Sequence, residues 1–248
     1  MELTIKLKSV SIIVPTLNEV ENVEPLLEGI FVSGLEVLEV IFVDDGSTDG
    51  TADRVHELAE RFPLRLLVRA SATLGLSGAI VAGARAARGD LLVVMDADLS
   101  HPPSGIPDLV RPLQELTCDM VIGSRYVRGG STPGWPLWRR IMSRTASALA
   151  YPLTRVHDSM CGFFAISKPL LLDLAPTATG FKIAFEMIVH GGRHLRVREI
   201  PIAFHDRARG TSKMSLQVAL TFFLSWLAAV TRRKSKTYLT GAAQAQVR

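Results

Sequence analysis

Five short, almost unbroken apolar runs divide the first half of the chain: Val10–Val14, Val40–Val43, Leu64–Val68, Leu91–Met95 and Met120–Ile122. Each is too short for a helix, and apolarity at consecutive positions suits a strand covered on both faces. The segments between them carry helical spacing, as at Val23, Leu26, Leu27 and Ile30, or at Ala52, Val55, Leu58 and Ala59. Strand and helix in alternation predict an α/β fold: a mostly parallel central sheet, helices on both faces and right-handed crossovers. Ligands of such a sheet bind beyond the carboxyl ends of its strands, so functional residues are expected just after each run. A chain of 248 residues suffices for one sizeable core, and one main domain with a small appendage is expected.

Beyond Ile122 the rhythm loosens. Residues 129–134 form a Gly/Pro-rich stretch that reads as a loop or lid. A basic helix over Trp138–Tyr151, a strand near Phe163–Ile166, a helix around Ala184–His190 and a strand over Leu195–Ile202 are predicted next. The last apolar segment, Leu216–Val230, is shorter than the roughly twenty residues that a bilayer span needs, and Arg232, Arg233 and Lys234 follow it. Gln217, Thr221 and Ser225 share one face. An interfacial amphipathic helix with a basic cluster is therefore predicted over 214–236, with Trp226 as an anchor, and a flexible tail over 237–248. Packing on the domain or on a second copy is the other reading of that helix.

Charge is divided unevenly: residues 1–122 hold 9 Lys and Arg against 19 Asp and Glu, and residues 123–248 hold 19 against 5. A basic half points to nucleic acid, anionic lipid or a phosphorylated substrate, or else to a solvated face. Cys118 and Cys161 have neither zinc-type spacing nor the number for a disulfide framework. The N-terminus lacks a signal-peptide core, and an intracellular location is expected. Val14 to Glu19, after the first strand, is nothing like Gly-x-Gly-x-x-Gly, which excludes a dinucleotide-binding dehydrogenase.

Three carboxylate-rich tips stand at predicted strand ends: Pro15-Thr16-Leu17-Asn18-Glu19, Asp44-Asp45-Gly46-Ser47 and Asp96-Ala97-Asp98. Asp49 or Ser47 is expected to cap the helix that follows the second. Converging carboxylates repel unless a cation or a donor-rich ligand lies between them. Asp96 and Asp98 offer hard oxygen ligands to Mg²⁺ or Mn²⁺, and such an ion would neutralise a diphosphate leaving group.

These tips, with Leu99-Ser100-His101-Pro102-Pro103, Gly123-Ser124-Arg125-Tyr126, Cys161-Gly162-Phe163-Phe164 and the Arg207-to-Lys213 element, resemble glycosyltransferase family 2. The similarity is to its dolichol-phosphate mannosyltransferase and polyprenol-phosphate glycosyltransferase branch, and it runs in the family's order from about Ser11 to Lys213. It implies a GT-A type fold over 1–213, with a donor half of about 1–122 and an acceptor half of about 123–213. Pro15, Leu17, Glu19, Asp44 and Asp45 would then hold the nucleotide's base and ribose. Asp96 and Asp98 would engage the metal and diphosphate, and Arg125, Arg139, Ser143, Arg207 and Lys213 the acceptor phosphate.

The implied reaction is inverting transfer of a hexose to a polyprenyl or dolichyl phosphate at the cytoplasmic face of a membrane. Mannose from GDP-mannose is the first expectation and UDP-glucose the nearest alternative donor. No nucleic acid takes part. A lipid phosphate is already anionic, so no general base is assigned, and catalysis is expected to rest on Asp98, Arg125 and Arg139. Asp158 and Glu186 are read as orienting an arginine, approaching the sugar or serving structure. His101, His190 and His205 are read as local hydrogen-bonding residues, Arg140 and Arg144 as surface salt bridges. The sequence departs from the family pattern at Leu17, where an aromatic is common, at Ser100, where Gln is, and at Thr73 and Ser77, where Lys and Gly are. A separate membrane anchor or self-association is expected to supplement the short helix. The rival readings are a non-lipid acceptor, a nucleotidyltransferase with the same metal logic and an inactive membrane-surface scaffold.

Overall fold

The computed structural model describes residues 7–70, 74–175 and 182–206. Strand and helix alternate through β1 (Val10–Thr16), α1 (Val20–Val32), β2 (Glu39–Asp44), α2 (Thr51–Leu58), β3 (Leu64–Val68), α3 (Gly75–Ala86), β4 (Leu91–Val94), α4 (Ile106–Gln114) and β5 (Met120–Ser124). The second half adds α5 (Leu137–Thr154), β6 (Phe164–Ser167), α6 (Lys168–Leu174), α7 (Ile183–Gly191) and β7 (Val197–Pro201). The strands form one sheet in the order β3-β2-β1-β4-β6-β5-β7. Among the described strands only β6 runs antiparallel to its neighbours, β4 and β5. It starts at the ligand edge, where residues 155–163 lie, and has to run back down the sheet.

Ile12, Ile13, Val14 and Val40 to Val43 have no exposed surface. Successive strand side chains point to opposite faces, so this burial requires a layer on each. At Gly83 a β-carbon would lie 2.7 Å from Ile13 and 3.0 Å from Val43, so α3 settles on β1 and β2 because glycine stands there. Helix α1 packs on α2, while α3 touches α6 and α7 touches both α5 and α6. Val55 and Leu58 are buried as their spacing predicts, but α2 stops at Leu58 and leaves Ala59 exposed.

The amino edge of the sheet is tied by one buried carboxylate. Glu39 accepts from Ser11 Oγ at 2.9 Å, Arg88 N–H at 2.6 Å, Arg65 Nη1 at 3.0 Å and Arg88 Nε at 3.0 Å. The Gly/Pro-rich stretch is pinned rather than a free lid. Ser131 forms a parallel bridge with Ala203, its N–H donates to Ile202 O at 3.0 Å, and its carbonyl accepts from Phe204 N–H at 3.0 Å. Arg207, Lys213, the predicted 214–236 helix and the 237–248 tail lie outside the described residues. Among the described residues no helix is long and apolar enough to cross a membrane.

Candidate active site

Strands β1 and β2 end side by side, with Thr16 opposite Asp44. The two aspartates that follow have different partners. Asp44 is buried, and its oxygens accept from Gly46 N–H at 3.1 Å, Ser47 N–H at 2.9 Å and Ser47 Oγ, so it shapes the loop. Asp45 faces Arg69, with Nε 2.6 Å from Oδ1 and Nη2 donating to Oδ2 at 3.3 Å. Burial pushes the Asp45 carboxyl above its ordinary range and Asp44 adds to this, against the pull of Arg69.

Asn18 stitches the two tips together. It adopts φ 56°, its N–H donates to Ser47 Oγ at 2.8 Å, and its Oδ1 accepts from Thr48 N–H at 2.9 Å. Neither expected residue is the N-cap of α2, which is Gly50 at φ 92°; Asp49, one position earlier, accepts from Thr51 N–H at 3.0 Å and from Val20 N–H at 3.1 Å, the first residue of α1. Glu19 receives Asn22 Nδ2 at 2.7 Å. Pro15 is half-buried and Leu17 is exposed beside it at the tip of β1.

The Asp-x-Asp turn follows β4. Asp98 is 4% exposed and accepts from Ser100 N–H at 3.1 Å, while the Asp96 side chain is 37% exposed. Leu99 between them and Ser100 takes φ 62°, an uncommon conformation for a branched residue that marks a constrained turn. His101 accepts the Asp96 N–H on Nδ1 at 3.2 Å and lies with Nε2 3.9 Å from Cys161 Sγ. Burial holds the His101 ring neutral, and its neighbours Asp96 and Asp98 oppose this only in part. It is thus a local hydrogen-bonding residue, as read from the sequence. A β-carbon at Gly162 would sit 3.4 Å from both Asp96 Oδ1 and His101 Cε1, so the Cys-Gly-Phe-Phe motif packs directly against the Asp-x-Asp turn.

The donor set fits a hard divalent ion. Two carboxylates project from one turn, and the buried Ser100 Oγ has no hydrogen-bond partner among the described residues. Among the described residues no group of three or more acidic, His or Cys side chains gathers. A cation here would complete its shell with water and substrate oxygens, the mode that Mg²⁺ favours.

Beyond this turn lies an aromatic cluster that carries two guanidiniums. His101 stacks on Phe163 with centroids 5.2 Å apart and meets Phe204 edge-on at 5.2 Å, and Phe204 in turn meets Trp135 edge-on at 5.4 Å. Arg125 lies within 5.2–5.4 Å of the Tyr126, Trp135 and Phe204 ring centres, and Arg139 lies 4.0 Å over Trp135. Arg125 is clamped by Asp158: Nε and Nη2 donate to its two oxygens at 2.7 Å, and the Arg125 N–H donates to Oδ2 at 2.9 Å. Burial works against the Arg125 charge, but the bonds and charge of Asp158 outweigh it and keep the guanidinium charged. Glu199 of β7 fixes Asp158 by accepting its N–H at 3.0 Å. Arg139 pairs with Asp206, and Ser143 Oγ accepts the Tyr126 hydroxyl at 2.5 Å.

Arg140 and Arg144 depart from the salt-bridge reading. Arg140 donates to the Thr132 carbonyl at 3.2 Å and Arg144 lies 5.8 Å from the Tyr126 ring centre, and neither pairs with a carboxylate among the described residues. Glu186 sits in the first turn of α7. Sequence reasoning passed over three features. Trp135 and Phe204 lie in irregular segments without periodicity. Lys182, whose ammonium donates to Met160 O at 3.3 Å, is held below its ordinary pKa by burial and then by Arg125. The third feature is the outer face of α5, where Leu137, Trp138, Ile141 and Met142 are each half or more exposed; their i, i+4 spacing was there to be read.

A mostly parallel sheet with one antiparallel strand, a carboxylate turn at its carboxyl edge and fixed cations beyond it is the arrangement of a GT-A glycosyltransferase fold. Solved structures share it: glucosyl-3-phosphoglycerate synthase from Mycobacterium tuberculosis with Mn²⁺, UDP-glucose and phosphoglyceric acid has a TM-score of 0.68 at 22% identity, over 90% of this chain and 79% of that one. The same enzyme with Mg²⁺ and UDP gives 0.67 at 24% identity, over 88% and 79%. The family model for glycosyl transferase family 2 matches residues 11–174, and the chain belongs to that family. Its curated relatives include dolichol-phosphate mannosyltransferases. That of Pyrococcus furiosus is 40% identical over 211 residues, 83% of this chain but 59% of the relative. That of Saccharomyces cerevisiae is 37% identical over 226 residues, covering 86% and 83%, and that of Mycosarcoma maydis 41% identical over 226, covering 86% and 76%.

Proposed function

We propose that the chain transfers mannose from GDP-mannose to a dolichyl or polyprenyl phosphate at the cytoplasmic surface of a membrane, with UDP-glucose the nearest alternative donor. One observation carries the reading. A single aromatic cluster, from His101 through Phe204 to Trp135, has the Asp-x-Asp turn on one side and two positioned guanidiniums on the other. Pro15, Leu17, Glu19, Asp44 and Asp45 are assigned to the nucleotide. Asp96 and Asp98 would hold Mg²⁺ or Mn²⁺, which supplies charge neutralisation at the departing diphosphate. Arg125, Arg139 and Ser143 are assigned to the acceptor phosphate.

An oxygen of the lipid phosphate forms the new bond to the anomeric carbon as the bond to the diphosphate breaks and GDP departs with the electron pair. No proton has to be removed, so the protein's task is to hold two anions in line. Arg125 is preset by Asp158, so its charge costs no reorganisation when substrate arrives. The names of the curated relatives support the sugar and the acceptor. The apolar outer face of α5, flanked by Arg140 and Arg144, supports docking on anionic lipid beside the acceptor residues. A separate anchor protein or a second copy would strengthen that attachment.

The test is transfer of radiolabelled sugar from GDP-mannose, and in parallel from UDP-glucose, into polyprenyl phosphate with Mn²⁺ or with EDTA. Metal-dependent lipid product from GDP-mannose is expected. Product from UDP-glucose alone changes the donor, and none from either donor, despite metal-dependent nucleotide binding, removes the lipid acceptor. Trp138→Glu should leave nucleotide binding intact and weaken sedimentation with anionic vesicles; undiminished sedimentation removes α5 from the membrane contact.

A further inference from the structure

Arg139 is held from two sides, and the two holds differ in kind. Its guanidinium rests over Trp135, which is buried and wedged edge-on against Phe204. Its other partner, Asp206, is half exposed at 50%, whereas the Arg139 side chain is 19% exposed. Losing the carboxylate therefore leaves the guanidinium on its ring. The same ring presents an unmet donor: among the described residues the buried indole N–H of Trp135 has no hydrogen-bond partner.

Asp206 also follows a backbone strap that touches both the Asp-x-Asp side and the arginine side of the site. Ile202 N–H donates to Ser124 O at 3.0 Å, Phe204 N–H to Ser131 O at 3.0 Å and His205 N–H to Ser100 O at 3.1 Å. The carboxylate on Arg139 is thus one residue from a backbone bond to the Asp-x-Asp turn.

We propose that Asp206 is a stand-in for the acceptor phosphate: its carboxylate holds one nitrogen of the Arg139 guanidinium, and the phosphate of the acceptor takes its place. The inference rests on the assignment of Arg139 to the acceptor. Carboxylate and phosphate oxygens offer a guanidinium the same charge-assisted geometry, so they compete for it. A neutral hydroxyl acceptor cannot match that exchange. Asp206 thereby sets the threshold for binding and selects for an anionic head group.

Binding of farnesyl monophosphate, a short lipid phosphate, measured by calorimetry on the full chain, tests this. Asp206→Asn should bind about two- to fivefold tighter, the change that freeing one half-exposed ion pair allows, and Arg139→Ala should bind more weakly. In the Arg139→Ala background the Asp206→Asn change should have no further effect. A structural role for Asp206 gives weaker or unchanged binding in Asp206→Asn, and that result overturns the stand-in. Unchanged binding in Arg139→Ala overturns instead the acceptor assignment beneath it.

Discussion

Replacing Asp158 by asparagine removes the charge that presets Arg125 and changes almost nothing else in volume. Asp158 is fully buried and takes three hydrogen bonds from Arg125, at 2.7, 2.7 and 2.9 Å. A carboxamide keeps one oxygen acceptor but turns an NH₂ group towards a donor. The guanidinium, with a side chain only 9% exposed, cannot recover its hydration. Breaking a buried pair from one side costs about 3–5 kcal/mol. Each kcal/mol lowers Tm by about 2–4 °C in a domain of this size, so Asp158→Asn should melt roughly 6–20 °C below wild type. Arg111→Ala is the control. Its pair with Asp108 is well exposed on both sides, and such pairs contribute little, so its melting should match wild type. Scanning fluorimetry measures both. An Asp158→Asn melting point within about 2 °C of wild type would refute the account of Arg125 as a buried, preset cation.

At the other edge of the sheet, burial raises the Glu39 carboxyl, but the Arg88 N–H, Arg65, Ser11 and the Arg88 side chain together hold it below its ordinary value of 4.5. A depressed carboxyl stabilises the fold above the unfolded value and loses that contribution as pH falls through the folded one. Glu39→Gln should therefore lower the urea midpoint clearly at pH 7, with the gap to wild type closing once pH drops below about 4; a gap independent of pH would refute this. His101→Phe keeps a ring against Phe163 but cannot accept the Asp96 N–H, so Mn²⁺ affinity should fall about tenfold or more, read by metal titration in the presence of nucleotide. Unchanged affinity would show that the turn needs no support. Asp98→Ala should abolish Mn²⁺-dependent nucleotide binding by calorimetry, and retained dependence would move the metal elsewhere.

The strands of the first half of the chain were legible because burial on both faces leaves an unbroken apolar run. The direction of β6 was not, since Phe164–Ser167 reads the same whichever way it runs. Asp44 and Asp45 are adjacent and alike in sequence, yet one binds its own turn and the other binds Arg69, 24 positions away. Asp158 was recognisable as a residue that could orient an arginine. Which arginine depended on a pairing across 33 positions that no local pattern encodes. Trp135 and Phe204, which link His101 to Arg125 and Arg139, sit in segments whose conformation comes from the Ser131–Ala203 bridge rather than from any period.

The most direct test of a single site spanning the Asp-x-Asp turn and the arginine cluster is a crystal structure with Mn²⁺, GDP and a short-chain prenyl phosphate. The metal should lie on Asp96 and Asp98, and the phosphate should contact Arg139 beside Trp135, facing the GDP diphosphate. A prenyl phosphate bound away from both arginines, with Mn²⁺ and GDP in place, would contradict the account.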